Sequence, residues 1–163
     1  MAAIQLPRTR AKNEPARMPS TIPAYRVCGV RVDAHQIDTA ADAVIASRAT
    51  GAPLAVHLVN AGTLSLARHD QGLTTMLNRA DLNLPDGMPL VWIARKRLGL
   101  AHMVDRCYGP DLMLALLDRG RAHGLKHYFY GSSPEVVAAL ETNMRERFPG
   151  VDIVGAESPP FRA

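Results

Sequence analysis

Hydrophobic positions along this chain fall into short runs that alternate between two periods. Tyr25-Arg-Val-Cys-Gly-Val-Arg-Val32 alternates apolar and polar residues and is rich in β-branched side chains, which predicts one strand with Gly29 as a bulge. A helix follows to about Ala49, capped by Asp38 or Thr39, with Ala41, Val44 and Ile45 on its apolar face. Leu54–Val59 is a compact apolar run between turn-forming residues and reads as a buried strand. Helical spacing returns at about 61–69 and 72–79, and Ala80–Leu84 predicts another strand, ended by Pro85-Asp86-Gly87. Met88–Leu98 reads as a helix whose last turn carries Arg95, Lys96 and Arg97, where cations favour the dipole. Residues 101–109 show no period.

Pro110 then opens a helix that Gly124 closes, and His127–Tyr130 is a strand. Gly131-Ser132-Ser133-Pro134-Glu135 leads into a helix ending near Phe148, with Ser132 and Glu135 at capping-box spacing. Val151–Val154 is the last strand. Strands alternating with helices of this length predict a parallel α/β sheet with flanking helices, Rossmann-like in class. Each parallel strand needs a crossover behind it, and the final one has none, so the domain reads as truncated at its C-terminus. The sheet edge and apolar face left open predict an oligomeric or poorly soluble chain.

Composition narrows the class. With 163 residues, 47% apolar and 21% charged, the chain suits one folded domain rather than a disordered one. No apolar run approaches the roughly 20 residues of a membrane-spanning helix. The net charge of +4 is uneven: Arg8, Arg10, Lys12 and Arg17 against Glu14 place most of it in the first 20 residues. Residues 1–24 therefore read as a disordered basic leader, with 25–163 as the folded domain. Only 5% of residues are aromatic and the body has no basic stripe, which argues against nucleic acid as a partner. Two cysteines, Cys28 and Cys107, make no disulfide framework. The six histidines have no metal-ligand spacing, so no metal is expected. His57, in an apolar strand, reads as a satisfied core residue.

Ligands of open α/β sheets collect at the carboxyl ends of strands, and three such ends here carry polar residues. Asp86 sits in a turn between a buried strand and an apolar helix. It is either a fixed general base or the cap of the helix from Met88. Asn60 either orients a ligand hydroxyl or caps the next helix. The Gly131-Ser132-Ser133 loop is either a phosphate cradle or a capped helix start, and Glu135 in that first turn opposes an added anion. Asp111 lies in a first helical turn, where acids suit the dipole, and Arg106 pairs with it or with a diphosphate. No Walker A loop, GxSxG elbow or GxGxxG occurs, which tells against a nicotinamide-dependent oxidoreductase.

Taken in order, several blocks resemble one family, the WecG/TagA/CpsF glycosyltransferases of bacterial cell-surface polymer synthesis. They are Gly29-Val30 with Ile37-Asp38, Val59-Asn60-Ala61, and Ala80-Asp81-Leu82-Asn83-Leu84-Pro85-Asp86-Gly87-Met88-Pro89-Leu90-Val91-Trp92. Arg106, Gly109-Pro110-Asp111-Leu112-Met113, Tyr130-Gly131 and Phe148-Pro149-Gly150 through Gly155 continue the match. The resemblance implies an inverting transferase that uses neither metal nor other cofactor. It would move an N-acetylmannosamine-type sugar, or a related hexose or uronic acid, from a UDP-sugar donor. The acceptor would be a polyprenyl-diphosphate-linked sugar at the cytoplasmic face of the membrane, in polysaccharide or teichoic acid synthesis. Asp86 stands where the family has its general base, and Asn60 where it has its site asparagine. The Gly131 loop with Ser132, and Arg106 and Asp111, are the local candidates for binding substrate. Two departures stand out. Leu58 occupies a position where the family often has Thr, and the family's later part, with a Gln-containing segment and a basic appendage, lies beyond this sequence. A non-catalytic nucleotide-sugar-binding remnant is therefore the competing reading.

Overall fold

A computed structural model describes residues 22–51 and 53–160. The basic leader expected over 1–24 lies outside them except for its last three residues. Ile22 packs against buried side chains and the first strand begins at Ala24, so folded structure reaches into the span assigned to that leader. The fold is mixed α/β, as the alternation of periods predicts. It divides into two compact units, residues 1–112 and 113–163.

In the first unit the opening strand is a hairpin rather than a single bulged strand. β1 (Ala24–Val27) and β2 (Val30–Asp33) pair antiparallel, with Val27 opposite Val30. Cys28 and Gly29 both take positive φ (52° and 80°), the two-residue turn whose twist matches antiparallel strands. Alternation along 25–32 is common to both readings, and the backbone at Cys28 decides between them. α1 (Ile37–Thr50) starts at the Gln36 N-cap, because Thr39 Oγ1 reaches back to accept from Gln36 N at 3.0 Å. Asp38 and Thr39 therefore lie inside its first turn instead of capping it.

β3 (Val56–Val59), α2 (Ala61–Ala67), α3 (Gln71–Arg79) and β4 (Leu82–Pro85) form the parallel crossover that the pattern predicts, Val56 facing Leu82 and Val59 facing Pro85. Every residue of β4 is buried, as expected of an inner parallel strand. β2 lies beside it: the Asp33 carboxylate accepts from Asn83 N at 2.8 Å and holds Arg31 at 2.6 Å. α4 (Met88–Leu98) turns Leu90, Val91 and Ala94 onto a core that includes Val30, Val32, Val59, Leu64 and Leu77. His57 is half-buried and, among the described residues, its side chain has no hydrogen-bond partner, so it is not the satisfied core histidine expected.

α5 (Gly109–Gly120) leads out of the first unit and into the second. It stops at Gly120, four residues before the expected Gly124, because Leu125 folds back on it. Leu125 N donates to Gly120 O at 3.0 Å, and a β-carbon on Gly120 would come within 2.9 Å of Leu125. A short 3-10 turn, Arg121–His123, then closes on Gly124 at φ 62°. β5 (Lys126–Tyr130) and β6 (Asp152–Glu157) pair parallel across α6 (Pro134–Arg147). Leu117, Phe129, Met144, Phe148, Val151 and Ile153 form this unit's own core. Ser133, not Ser132, caps α6, accepting from Val136 N at 3.4 Å. Ser132 instead adopts φ 62° in the loop, which removes it from the expected capping box.

Candidate active site

Parallel register sets the first unit's site. Since Val59 and Pro85 are partners at the ends of β3 and β4, the next residues, Asn60 and Asp86, leave the sheet side by side. Asp86 N donates to Val59 O at 2.8 Å, carrying the ladder one residue past the strands. Gly87 completes the contact: a β-carbon there would sit 3.7 Å from Asn60 Cβ.

Asn60 is the N-cap of α2. Its Oδ1 accepts from Thr63 N at 2.9 Å and from Thr63 Oγ1 at 3.2 Å. The capping reading of Asn60 is therefore realised. Its amide nitrogen is not needed for the cap and, among the described residues, has no hydrogen-bond partner.

Asp86 behaves differently. α4 takes Gly87 as its N-cap and makes no side-chain cap bond, so the Asp86 carboxylate is not spent on the helix that follows. Its side chain is 20% exposed and its ionic partner is Arg106, with Nε 3.7 Å from Oδ1. Arg106 thus turns to Asp86 rather than to Asp111. Asp111 stays exposed in the first turn of α5 and makes no ion pair among the described residues.

Arg106 is held by a segment without regular structure. Cys107 N donates to Pro85 O at 2.8 Å and Asp105 N to His35 O at 3.1 Å, tying residues 105–107 to the end of β4 and to the chain leaving β2. Val104 and Cys107 are buried, while Asp105, Arg106 and Tyr108 face outward. Burial pushes the Cys107 thiol up to about 12, with the charges of Asp105 and Asp86 adding to it. The Arg106 guanidinium lies 4.3 Å from the centre of the Tyr108 ring, a cation–π contact that steadies its plane.

Sequence reasoning missed Tyr108 and the two anchors, His35 and Cys107. The buried and exposed positions between Val104 and Tyr108 carried the available signal, in a stretch too short to show a period. Among the described residues no three His, Cys, Asp or Glu gather where they could hold an ion.

The Gly131–Ser133 loop belongs to the second unit. Gly131 N donates to Glu157 O at 2.9 Å, and Ser132 O accepts from Ser158 Oγ at 2.6 Å, so backbone groups at both residues are engaged within that unit. A hydrogen bond from Ser133 holds the exposed Glu135 carboxyl below its usual range, keeping a negative charge in the first turn of α6.

A parallel α/β crossover that sets a carboxylate and an amide side by side at neighbouring strand ends is a place where sheets of this kind bind ligands. Comparison with known proteins supplies the class. Residues 25–163 match the glycosyl transferase WecG/TagA/CpsF family, and this chain belongs to that family. A curated relative from Bacillus spizizenii is an N-acetylglucosaminyldiphosphoundecaprenol N-acetyl-beta-D-mannosaminyltransferase. It is 34% identical over 80 residues, which cover 49% of this chain and 30% of the relative. No described helix is long and apolar enough to cross a membrane.

Proposed function

We propose that this protein is an inverting glycosyltransferase in which Asp86 is the general base. The carrying observation is the state of that carboxylate. It is fixed at the end of β4, partly open to solvent, not consumed as a helix cap, and beside Asn60. In the reaction Asp86 takes the proton of the acceptor hydroxyl while that oxygen forms its bond to the anomeric carbon of the donor. The bond from that carbon to the nucleotide diphosphate breaks on the opposite face, and the electron pair leaves with the diphosphate. Arg106 directs Nε toward Asp86, and its remaining guanidinium N–H groups are available to the diphosphate, whose charge is then met without a metal. The Asn60 amide is placed to donate to a sugar hydroxyl.

The relative's name supports the substrates. It points to an N-acetylmannosamine-type sugar as the transferred group and a polyprenyl-diphosphate-linked sugar as the acceptor; a UDP-activated donor and a reaction at the cytoplasmic face of the membrane are part of the proposal. The test is Asp86→Asn in the full-length protein, assayed with UDP-N-acetylmannosamine and a lipid-linked acceptor. Turnover should fall at least about 100-fold while the melting curve stays in place. Near-normal turnover would overturn the role.

A further inference from the structure

The buried face of α4 is accounted for by the core, but its outer face is not. Trp92 is 52% exposed, and Lys96, one turn further on, and Arg97 beside it are exposed as well. Past the helix the chain turns through Ala101–Met103, where Met103 is 43% exposed. From Met88 to Val104 there is no Asp or Glu. The next acid, Asp105, is 3.1 Å from Arg95, whereas Lys96 and Arg97 have no ion-pair partner among the described residues. A large amphipathic ring and unneutralised cations exposed on a helix that carries no acid are features of a helix that lies in a bilayer interface.

We infer that this face of α4, centred on Trp92, Lys96 and Arg97, is where the protein docks on a bilayer containing anionic phospholipid. Charge decides the occupant. A second copy docked through the same face would bring two cationic surfaces without a compensating acid on the helix together, whereas an anionic headgroup layer attracts both Lys96 and Arg97. The inference rests on the lipid-linked acceptor proposed above and gives it a geometry. α4 starts one residue after Asp86 and is about 16 Å long, so a membrane against Trp92 lies within a few turns of the candidate base.

Trp92 is the one tryptophan in the chain, so its emission reports directly on its surroundings. The chain is mixed with vesicles of phosphatidylglycerol and phosphatidylcholine, or of phosphatidylcholine alone. With the anionic vesicles, emission should shift to the blue and be quenched by brominated acyl chains. Lys96→Gln with Arg97→Gln should weaken co-sedimentation about tenfold, and Trp92→Ala should weaken it further, each with an unchanged melting curve. Absence of binding, or binding with Trp92 emission unaltered, would overturn the inference. So would a blue shift that needs no vesicles and grows with protein concentration, which would mark a second copy as the occupant. Asp86→Asn should bind vesicles like the unaltered protein while losing transfer, so failure of the docking surface and failure of the catalytic reading are separate results.

Discussion

Arg106 and Asp86 come from segments twenty residues apart and meet with Nε 3.7 Å from Oδ1 at the end of β4. The contact exists because the backbone of Cys107 hangs on Pro85 O, which leaves the neighbouring Arg106 side chain directed at the residue after Pro85. It also leaves Asp111, the partner suggested by sequence proximity, unpaired among the described residues.

Arg106 is exposed, so replacing it should spare the fold. Arg106→Ala is expected to lower kcat/KM for the nucleotide sugar by about 10- to 100-fold, the loss expected for a hydrogen bond to a charged group. Arg106→Lys should recover only part of it, because an ammonium lacks the planar fork. Steady-state kinetics beside a thermal melt check this. Equal activity in all three proteins would remove Arg106 from the site.

Asn60 has two separable jobs. Asn60→Ala should cost about 1 kcal/mol through the lost cap of α2, whereas Asn60→Ser keeps a capping oxygen and should melt close to the unaltered protein. Both lack the amide nitrogen, so both should lose transfer activity. If Asn60→Ser is fully active, the residue is a cap and nothing more.

The two thiols should differ sharply in reactivity. Cys28 is exposed in the hairpin turn, and Cys107 is buried with its thiol pushed up to about 12. A thiol reagent at pH 8 is expected to label Cys28 alone in the native protein and both residues in denaturant, as peptide mapping would show. Equal labelling of both in the native state would mean that residues 104–108 are not anchored as described.

His35 gives the stability a pH dependence. Burial holds its imidazole below the ordinary value of 6.5, with Arg31 acting in the same direction and Asp33 and Thr39 partly opposing it. The unfolded chain therefore binds a proton there more readily than the native one, and stability is lost as pH falls from 6.5. Asp33, raised by burial above 3.8, works in the opposite sense, so the comparison is with His35→Asn and not with a raw pH curve. Below pH 6.5 the unaltered protein should lose up to about 1.4 kcal/mol per pH unit more than the variant, measured by denaturant titration. Parallel curves would show that His35 does not titrate differently on unfolding.

Much of this protein follows from its sequence because the relevant physics is local. Burial on both faces demands the apolar run of β4, and the periods on either side of it specify a parallel crossover. Asp86 and Asn60 could be named because strand ends in such a sheet are where ligands meet polar side chains. Their roles as cap or ligand could not be separated, since spacing is the same for both. The capping half of that question was answered in three dimensions, by Gly87 standing as the N-cap of α4 and Thr63 closing on Asn60 Oδ1. The hairpin at Cys28-Gly29 and the end of α5 at Gly120 were likewise set by a backbone angle and by a returning Leu125, neither of which a hydrophobic pattern encodes. The anchoring of Arg106 depended on tertiary structure most of all: its position is fixed by main-chain bonds to Pro85 and His35, and main-chain atoms are the same in every sequence.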